Sequence, residues 1–235
     1  MARFSWLIPI WKTETQWMDT LIQSVKNQNV TDWECNFISD GCPDEKLLWD
    51  IEKLSETDPR FRLWKRTHQG LVRALNFGLS VIDSEYIFRL DSDDYCVGQR
   101  IEKQIALMEA NPDIALCGGS MCDTDGRVQY IPHCPNRLGP KTFCKIIREN
   151  KTPAFHPTWC IRRNKIDRYP DQFEHAEDIA LLSIFILQRY KIGNVPEIVT
   201  AHRLHPNRTS AIYQSEQRKN AIRAIEEILG QEKED

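Results

Sequence analysis

A chain of 235 residues with 41% hydrophobic residues can bury one substantial core and fits a single domain. Its 31 basic and 34 acidic residues leave a formal charge of -3, so no overall basic field argues for nucleic acid as the main partner. Met1–Ile10 carries one Arg and is broken by Pro9, too short for a signal sequence or a membrane span, and the chain reads as cytoplasmic.

Phe4–Ile10 is rich in β-branched and aromatic residues and predicts a buried strand. Trp17, Leu21 and Val25 recur every four residues, with Met18 and Ile22 beside them, and predict an amphipathic helix closing near Asn27 or Asn29. Trp33–Ser39 predicts a second strand running into Asp40-Gly41, which is either an ordinary turn or a carboxylate on the ligand side of an open sheet. Pro43 is placed to start a helix carried by Leu47–Leu54 and stopped at Asp58-Pro59, before a strand over Phe61–Lys65. His68-Gln69-Gly70 reads as a loop, and Leu71–Ile82 as a helix with Arg73 and Asn76 near its start.

The segment Tyr86–Asp94 is an apolar run that breaks into three carboxylates, Asp91, Asp93 and Asp94. Such a run predicts a buried strand, and carboxylates at its end suit a hard divalent cation holding a diphosphate. Ser92, Asp93 or Asp94 capping a helix that begins near Gly98 is the competing reading. Ile101, Ile105, Leu107 and Met108 predict that helix, stopped by Asn111-Pro112, and Ile114–Met121 a further strand. Strands and helices alternating at these lengths predict an α/β fold with a mostly parallel sheet covered on both faces. No glycine-rich phosphate loop is present in this first half.

Asp123–Pro140, rich in Asp, Gly, Asn and Pro, predicts a long loop or short hairpin. Thr142–Glu149 reads as a helix and His156–Arg162 as a strand with His156 at its start, a position where a lone histidine is more often structural than catalytic. Glu174–Asp178 precedes the apolar helix Ile179–Leu187, so its carboxylates either cap that helix or face its positive end as a fixed base. After a strand over Val195–Ala201, His202–Arg208 reads as a basic loop, either an ordinary surface loop or, with two His and two Arg in seven residues, one suited to a diphosphate and its metal. Tyr213–Leu229 predicts a charged amphipathic helix, with residues 231–235 as a mobile tail. The eight cysteines form no Cys-x-x-Cys pair and read as reduced thiols rather than zinc ligands. The Asn-x-Thr sequons at Asn29, Asn150 and Asn207 carry no weight without a signal peptide.

In order and spacing, these marks resemble the family 2 inverting glycosyltransferases of GT-A fold, in the bacterial cell-surface polysaccharide branch. The likeness covers roughly Phe4–Ser210. It is most specific in Gly-Leu-x-x-Ala-Leu-Asn-x-Gly-Leu from Gly70, in Tyr-Ile-x-Arg-Leu-Asp-Ser-Asp-Asp from Tyr86, and in Arg100, Gln104 and Asn111-Pro112. Trp33-Glu34 before Asp40-Gly41, His156-Pro157-Thr158 before Arg162-Arg163, Glu177-Asp178, and Arg203-x-His205 before Ser210 extend it.

The resemblance implies one domain over residues 1–230: a Rossmann-like nucleotide-sugar-binding half (1–122), an acceptor-binding half (123–212) and a C-terminal helix (213–230). It implies that Asp40 and Pro9 hold the nucleotide base and that Arg73, Asp91 and Arg203 contact the donor. Asp93 and His205 would ligate Mn2+ or Mg2+, with Asp91 reaching the ion through water, and Asp178 would be the general base. The implied donor is a nucleoside-diphosphate sugar, UDP-sugar foremost, and the acceptor a saccharide, lipid-linked or other hydroxyl. Any membrane association would be peripheral, at the inner face of the plasma membrane. The chain departs from the family at Trp11-Lys12, His68, Val97-Gly98 and His202, which leaves the edges of the donor pocket open. A sugar nucleotidyltransferase would instead carry Gly-x-Gly-x-Arg where this chain has Trp-Lys-Thr-Glu, and a non-catalytic scaffold would lack Asp93 or Asp178.

Overall fold

The computed structural model describes residues 2–129, 138–206 and 208–230; the expectations for the 231–235 tail and for Asn207 lie outside them. Strands β1 (Phe4–Ile10), β2 (Trp33–Asp40), β3 (Phe61–Arg66) and β4 (Tyr86–Arg89) alternate with helices α1 (Thr15–Lys26), α2 (Glu45–Thr57) and α3 (Leu71–Val81). There follow β5 (Tyr95–Cys96), α4 (Arg100–Ala110), β6 (Ile114–Asp123), β7 (Val128–Gln129), α5 (Pro140–Arg148) and β8 (Cys160–Arg162). The chain closes with α6 (Glu177–Leu187), β9 (Lys191–His202), α7 (Thr209–Ile212) and α8 (Gln214–Leu229).

All nine of these strands join one sheet, in the order β3-β2-β1-β4-β8-β6-β9-β5, with β7 beside β6. The first four are parallel, which brings Asp40 and Arg89 to the same carboxyl edge. Beyond β4 the sheet is mixed: β8 runs antiparallel to both β4 and β6, while β6 and β9 are parallel.

The apolar periodicity of the helices covers both faces. On one, Leu21 and Val25 of α1, Leu47 and Ile51 of α2, and Ile101 and Met108 of α4 pack on Trp6, Ile8, Phe37 and Phe88. On the other, Leu75 and Leu79 of α3, Phe143 of α5, and Leu182 and Phe185 of α6 pack on Leu7, Ile38, Ile87 and Leu116. A strand buried on both sides has no solvent face to alternate, which is why β1 is apolar nearly throughout, while the polar Glu34, Asn36, Ser39 and Asp40 of β2 are buried with the rest of that strand.

Two buried side chains of α4 tie the two parts of the sheet together. The Arg100 guanidinium donates to the carbonyls of Arg89 (2.9 Å), Trp159 (3.0 Å) and Pro157 (2.9 Å). Gln104 Nε2 donates to the carbonyls of Cys117 (2.7 Å) and Thr158 (2.8 Å). Both residues are fully buried, so the end of β4, where the carboxylates begin, is pinned from beneath.

Three expectations are corrected. The helix-capping alternative for Ser92, Asp93 and Asp94 fails: α4 starts after Gln99 with no side-chain cap, Asp94 Oδ1 accepts from the Arg203 amide (3.0 Å), and Ser92 pairs with Thr13 (2.6 Å). The strand expected over His156–Arg162 is only Cys160–Arg162; His156–Thr158 is a 3-10 turn, because Pro157 lacks an N–H and Thr158 donates back to the Phe155 carbonyl (2.9 Å). The strand expected over Val195–Ala201 runs from Lys191 to His202. Of Asp123–Pro140, the first part is a hairpin between β6 and β7, and residues 130–137 lie outside the described residues. The seven described cysteines are free thiols, and among the described residues no helix is long and apolar enough to cross a membrane.

Candidate active site

At the carboxyl edge of the parallel strands the chain leaves β4 through Leu90 and turns at Asp91-Ser92-Asp93-Asp94. One oxygen from each of the three aspartates lies within 4.8 Å of the others. The cluster has few neutralising partners. Arg89 Nη2 donates to Asp91 Oδ1 at 2.6 Å, and His205 Nε2 lies 2.9 Å from Asp93 Oδ2. Asp94 is fully buried, and its Oδ2 has no partner. Burial, then the charge of Asp91, raises the Asp93 pKa; burial, then the charges of Asp93 and Asp91, lifts Asp94 well above the usual carboxylate range.

The basic loop after β9 closes over this turn. Arg203 Nε donates to the Asp93 carbonyl (2.9 Å), its guanidinium stands 5.5 Å from the rings of Trp17 and Tyr95, and Nη2 is unpartnered. The His205 ring packs on Trp17 at 4.6 Å, with Nδ1 unpartnered. His202 turns the other way, to Asp123 Oδ1 at 3.1 Å, so of the two histidines it is His205 that meets the aspartate turn.

Across a cavity of about 670 Å³ stands the start of α6. Asp178 accepts from the Ile179 amide at 2.8 Å, and burial pushes its pKa up to about 6. Beside it, buried Glu177 is pushed up to about 8, by burial first and then by the charge of Asp178. Glu177 Oε1 lies 3.7 Å from His156 Nδ1, and His156 Nε2 is 3.0 Å from the Tyr169 hydroxyl. Burial, aided by the charge of Arg89, holds His156 well below its ordinary pKa and keeps it neutral at pH 7.

Asp91, Asp93, Asp178, Arg73 and Arg208 thus share one cavity, with Arg89, His156 and Glu177. Of the expected site residues, Pro9, Asp40, Arg203 and His205 stand outside its lining. Pro9 is buried within β1 beside Ile38. Asp40 accepts from the amides of Gln69 and Gly70, each at 2.8 Å, while its Oδ2 lies 2.8 Å from His68 Nδ1. That turn depends on glycine: Gly70 has φ 94°, and a Cβ on Gly41 (φ 68°) would meet the His68 amide nitrogen at 2.7 Å. The structure therefore gives Asp40 an anchoring role for the loop that carries Gln69–Arg73 to the cavity. Trp11, 46% exposed, stacks on His68 with ring centroids 4.5 Å apart.

Arg89 and His156 received no site role from the sequence, and Glu177 none beyond its place in a motif. An arginine inside an otherwise apolar buried strand was the available signal for Arg89, since buried charges are rare unless paired. His156 and Glu177 were visible only as members of short motifs, because Glu177 meets His156 and His156 meets Tyr169 from other parts of the chain.

The family described as Glycosyl transferase family 2 matches residues 5–169. An uncharacterized glycosyltransferase of Haemophilus influenzae is 28% identical over 220 residues, spanning 88% of this chain and 67% of its own length. The amylovoran biosynthesis glycosyltransferase AmsE of Erwinia amylovora is 25% identical over 203 residues, 83% of this chain and 74% of AmsE. Among solved structures, S. aureus TarS 1-349 in complex with UDP-GlcNAc aligns with a TM-score of 0.78 at 17% identity, covering 99% of this chain and 68% of that one. Mannosyltransferase PcManGT from Pyrobaculum calidifontis, in complex with GDP-Man and Mn2+, aligns with a TM-score of 0.73 at 16% identity, covering 100% and 66%.

Fold and site define a glycosyltransferase of the GT-A type. More narrowly, the chain belongs to glycosyl transferase family 2, as the block from Gly70 onward implied.

Proposed function

We propose that this protein is a metal-dependent inverting glycosyltransferase that moves one sugar from a nucleoside-diphosphate sugar to an acceptor hydroxyl, in the synthesis of a cell-surface polysaccharide or glycoconjugate. The observation that carries this reading is the single cavity that holds Asp91 and Asp93 on one side and Asp178 on the other. TarS with UDP-GlcNAc and PcManGT with GDP-Man and Mn2+ support the donor class, and a UDP-sugar is the first to try.

The residues present fit a divalent cation. In this oxygen-rich cluster burial and mutual repulsion disfavour the ionised carboxylates, and Asp94 has a partnerless buried oxygen; a hard cation such as Mn2+ or Mg2+ would stabilise the ionised forms. Asp93 and His205 would hold it, with Asp91 through water. When bound, the ion supplies charge neutralisation to the departing diphosphate. Arg203, Arg73 and Arg208 are the cations available to the phosphates, and Arg203 already lies against the Asp93 backbone.

Asp178 takes the proton of the acceptor hydroxyl as that oxygen attacks the anomeric carbon and the bond to the diphosphate breaks. A single in-line displacement inverts the anomeric centre. With a pKa near 6, Asp178 is ionised at pH 7 yet more basic than an ordinary aspartate. Residues 1–122 would serve the donor and residues 123–212 the acceptor, a saccharide, lipid-linked or other hydroxyl, with the enzyme cytoplasmic or peripheral at the inner membrane face. A thermal-shift screen of nucleoside diphosphates with Mn2+ tests the reading: one nucleotide raises the melting temperature, since ligands that bind only the native state stabilise it. No stabilisation by any of them would contradict it.

A further inference from the structure

Two buried polar groups of opposite sense line the cavity, each with atoms that no group of the fold satisfies. Arg89, at the end of β4, is 1% exposed; Nη2 is held by Asp91, while Nε and Nη1 donate to nothing. Glu177, at the start of α6, is 6% exposed, and its Oε2 has no partner. Each feels the other's charge, yet no hydrogen bond joins them. Buried donors and acceptors are almost always satisfied, so such a pair lining one cavity is the mark of a ligand site.

The chemistry of that ligand follows from the two groups. A phosphate or carboxylate would answer Arg89 but be repelled by Asp91 and Asp178, and an ammonium would be repelled by Arg89. A hydroxyl answers both, because its oxygen accepts from the guanidinium while its O–H donates to the carboxyl, which keeps an acceptor oxygen in either protonation state. We propose that Arg89 and Glu177 form a hydroxyl-binding subsite for a sugar substrate, lying between the carboxylates of the leaving-group side and the base. His156, in contact with Tyr169 and with its ring 4.5 Å from that of Trp159, backs Glu177 and fixes its position. The subsite rests on the transferase reading and deepens it, since the hydroxyl belongs to the transferred sugar or to the acceptor.

The test is calorimetry and steady-state kinetics on the full chain with Mn2+, comparing wild type, Glu177→Met and Glu177→Gln. Nucleoside diphosphate without sugar reports on the fold and the leaving-group side, and its affinity stays within about threefold in Glu177→Met. If the hydroxyl is on the donor, the affinity gained by adding the sugar falls on the order of 10- to 100-fold, the size expected when a buried hydroxyl is left without its acceptor. If it is on the acceptor, donor affinity holds and the acceptor KM rises by a similar factor. In both cases Glu177→Gln, which keeps an acceptor oxygen, recovers most of the loss, and Arg89→Lys, which keeps the charge beside Asp91 but loses the fork, repeats it. Unchanged donor affinity and acceptor KM in Glu177→Met would overturn the subsite alone. Failure of the wild type to bind any nucleoside diphosphate would overturn the transferase reading and the subsite with it.

Discussion

His205 Nε2 lies 2.9 Å from Asp93 Oδ2, although the two residues are 112 positions apart in the chain. The contact joins the loop after β9 to the turn after β4 and sets an imidazole against a carboxyl whose pKa burial raises. Both side chains would ligate the proposed divalent ion. His205→Ala is expected to leave the fold intact and weaken Mn2+-dependent donor binding about 10- to 100-fold, the range typical when a group supporting a metal is removed. Isothermal titration with and without Mn2+ checks it.

Asp178→Asn keeps the size and the Ile179 contact but removes the base. Turnover should fall about 10²- to 10⁴-fold with donor affinity unchanged. Near-normal turnover, measured as released nucleoside diphosphate, would remove Asp178 from the role.

The pH dependence follows from the same residue. Asp178 must be ionised to accept a proton, so kcat/KM should rise with pH along a limb centred near pH 6, about two units above that of an ordinary aspartate. A limb near pH 4 would mean that the carboxylate is not desolvated as the structure has it.

Stability should move in the opposite direction. Glu177 binds its proton more tightly folded than unfolded, so its contribution is full below about pH 4.5 and is lost as the pH rises to its folded pKa of about 8. Glu177→Gln should therefore gain on wild type by on the order of a few kcal/mol at pH 9 and lose that advantage near pH 4. Chemical denaturation at the two pH values measures the difference.

Arg100→Met would remove the guanidinium from the carbonyls of Arg89, Trp159 and Pro157, leaving Trp159 only the Arg89 amide and Pro157 only the Thr200 hydroxyl. Losing several buried charge-assisted hydrogen bonds together should cost about 3–5 kcal/mol and lower the melting temperature by roughly 10 °C. Because Arg100 braces the end of β4, donor affinity should fall as well.

Much of the parallel half was legible from periodicity. Phe4–Ile10 and Tyr86–Arg89 are continuous apolar runs because both faces of the sheet are covered, and Leu21, Val25, Leu75 and Leu79 mark helix faces that touch it. The second half was harder. Strands β5 and β7 are two residues each and carry no period, and the 3-10 turn at His156 depends on tertiary packing around Thr158. In the site, the aspartate turn and Glu177-Asp178 stood out as motifs. Their division of labour did not: whether Asp94 caps a helix or receives Arg203, and whether His202 or His205 meets Asp93, is fixed by contacts between residues about 80 to 110 positions apart. Arg89 and Glu177 are polar groups in apolar settings, a mismatch visible in sequence only once the strand and helix around them are taken as buried.

On the proposed reading, a divalent ion held at Asp93 and the donor in the cavity bind together. Calorimetric titration of a nucleoside-diphosphate sugar into wild type and Asp93→Ala, with Mn2+ and then with chelator, measures that coupling directly. Binding to wild type that is lost on chelation, and absent in Asp93→Ala at either condition, is the result expected. Equal affinity in all four titrations would contradict it.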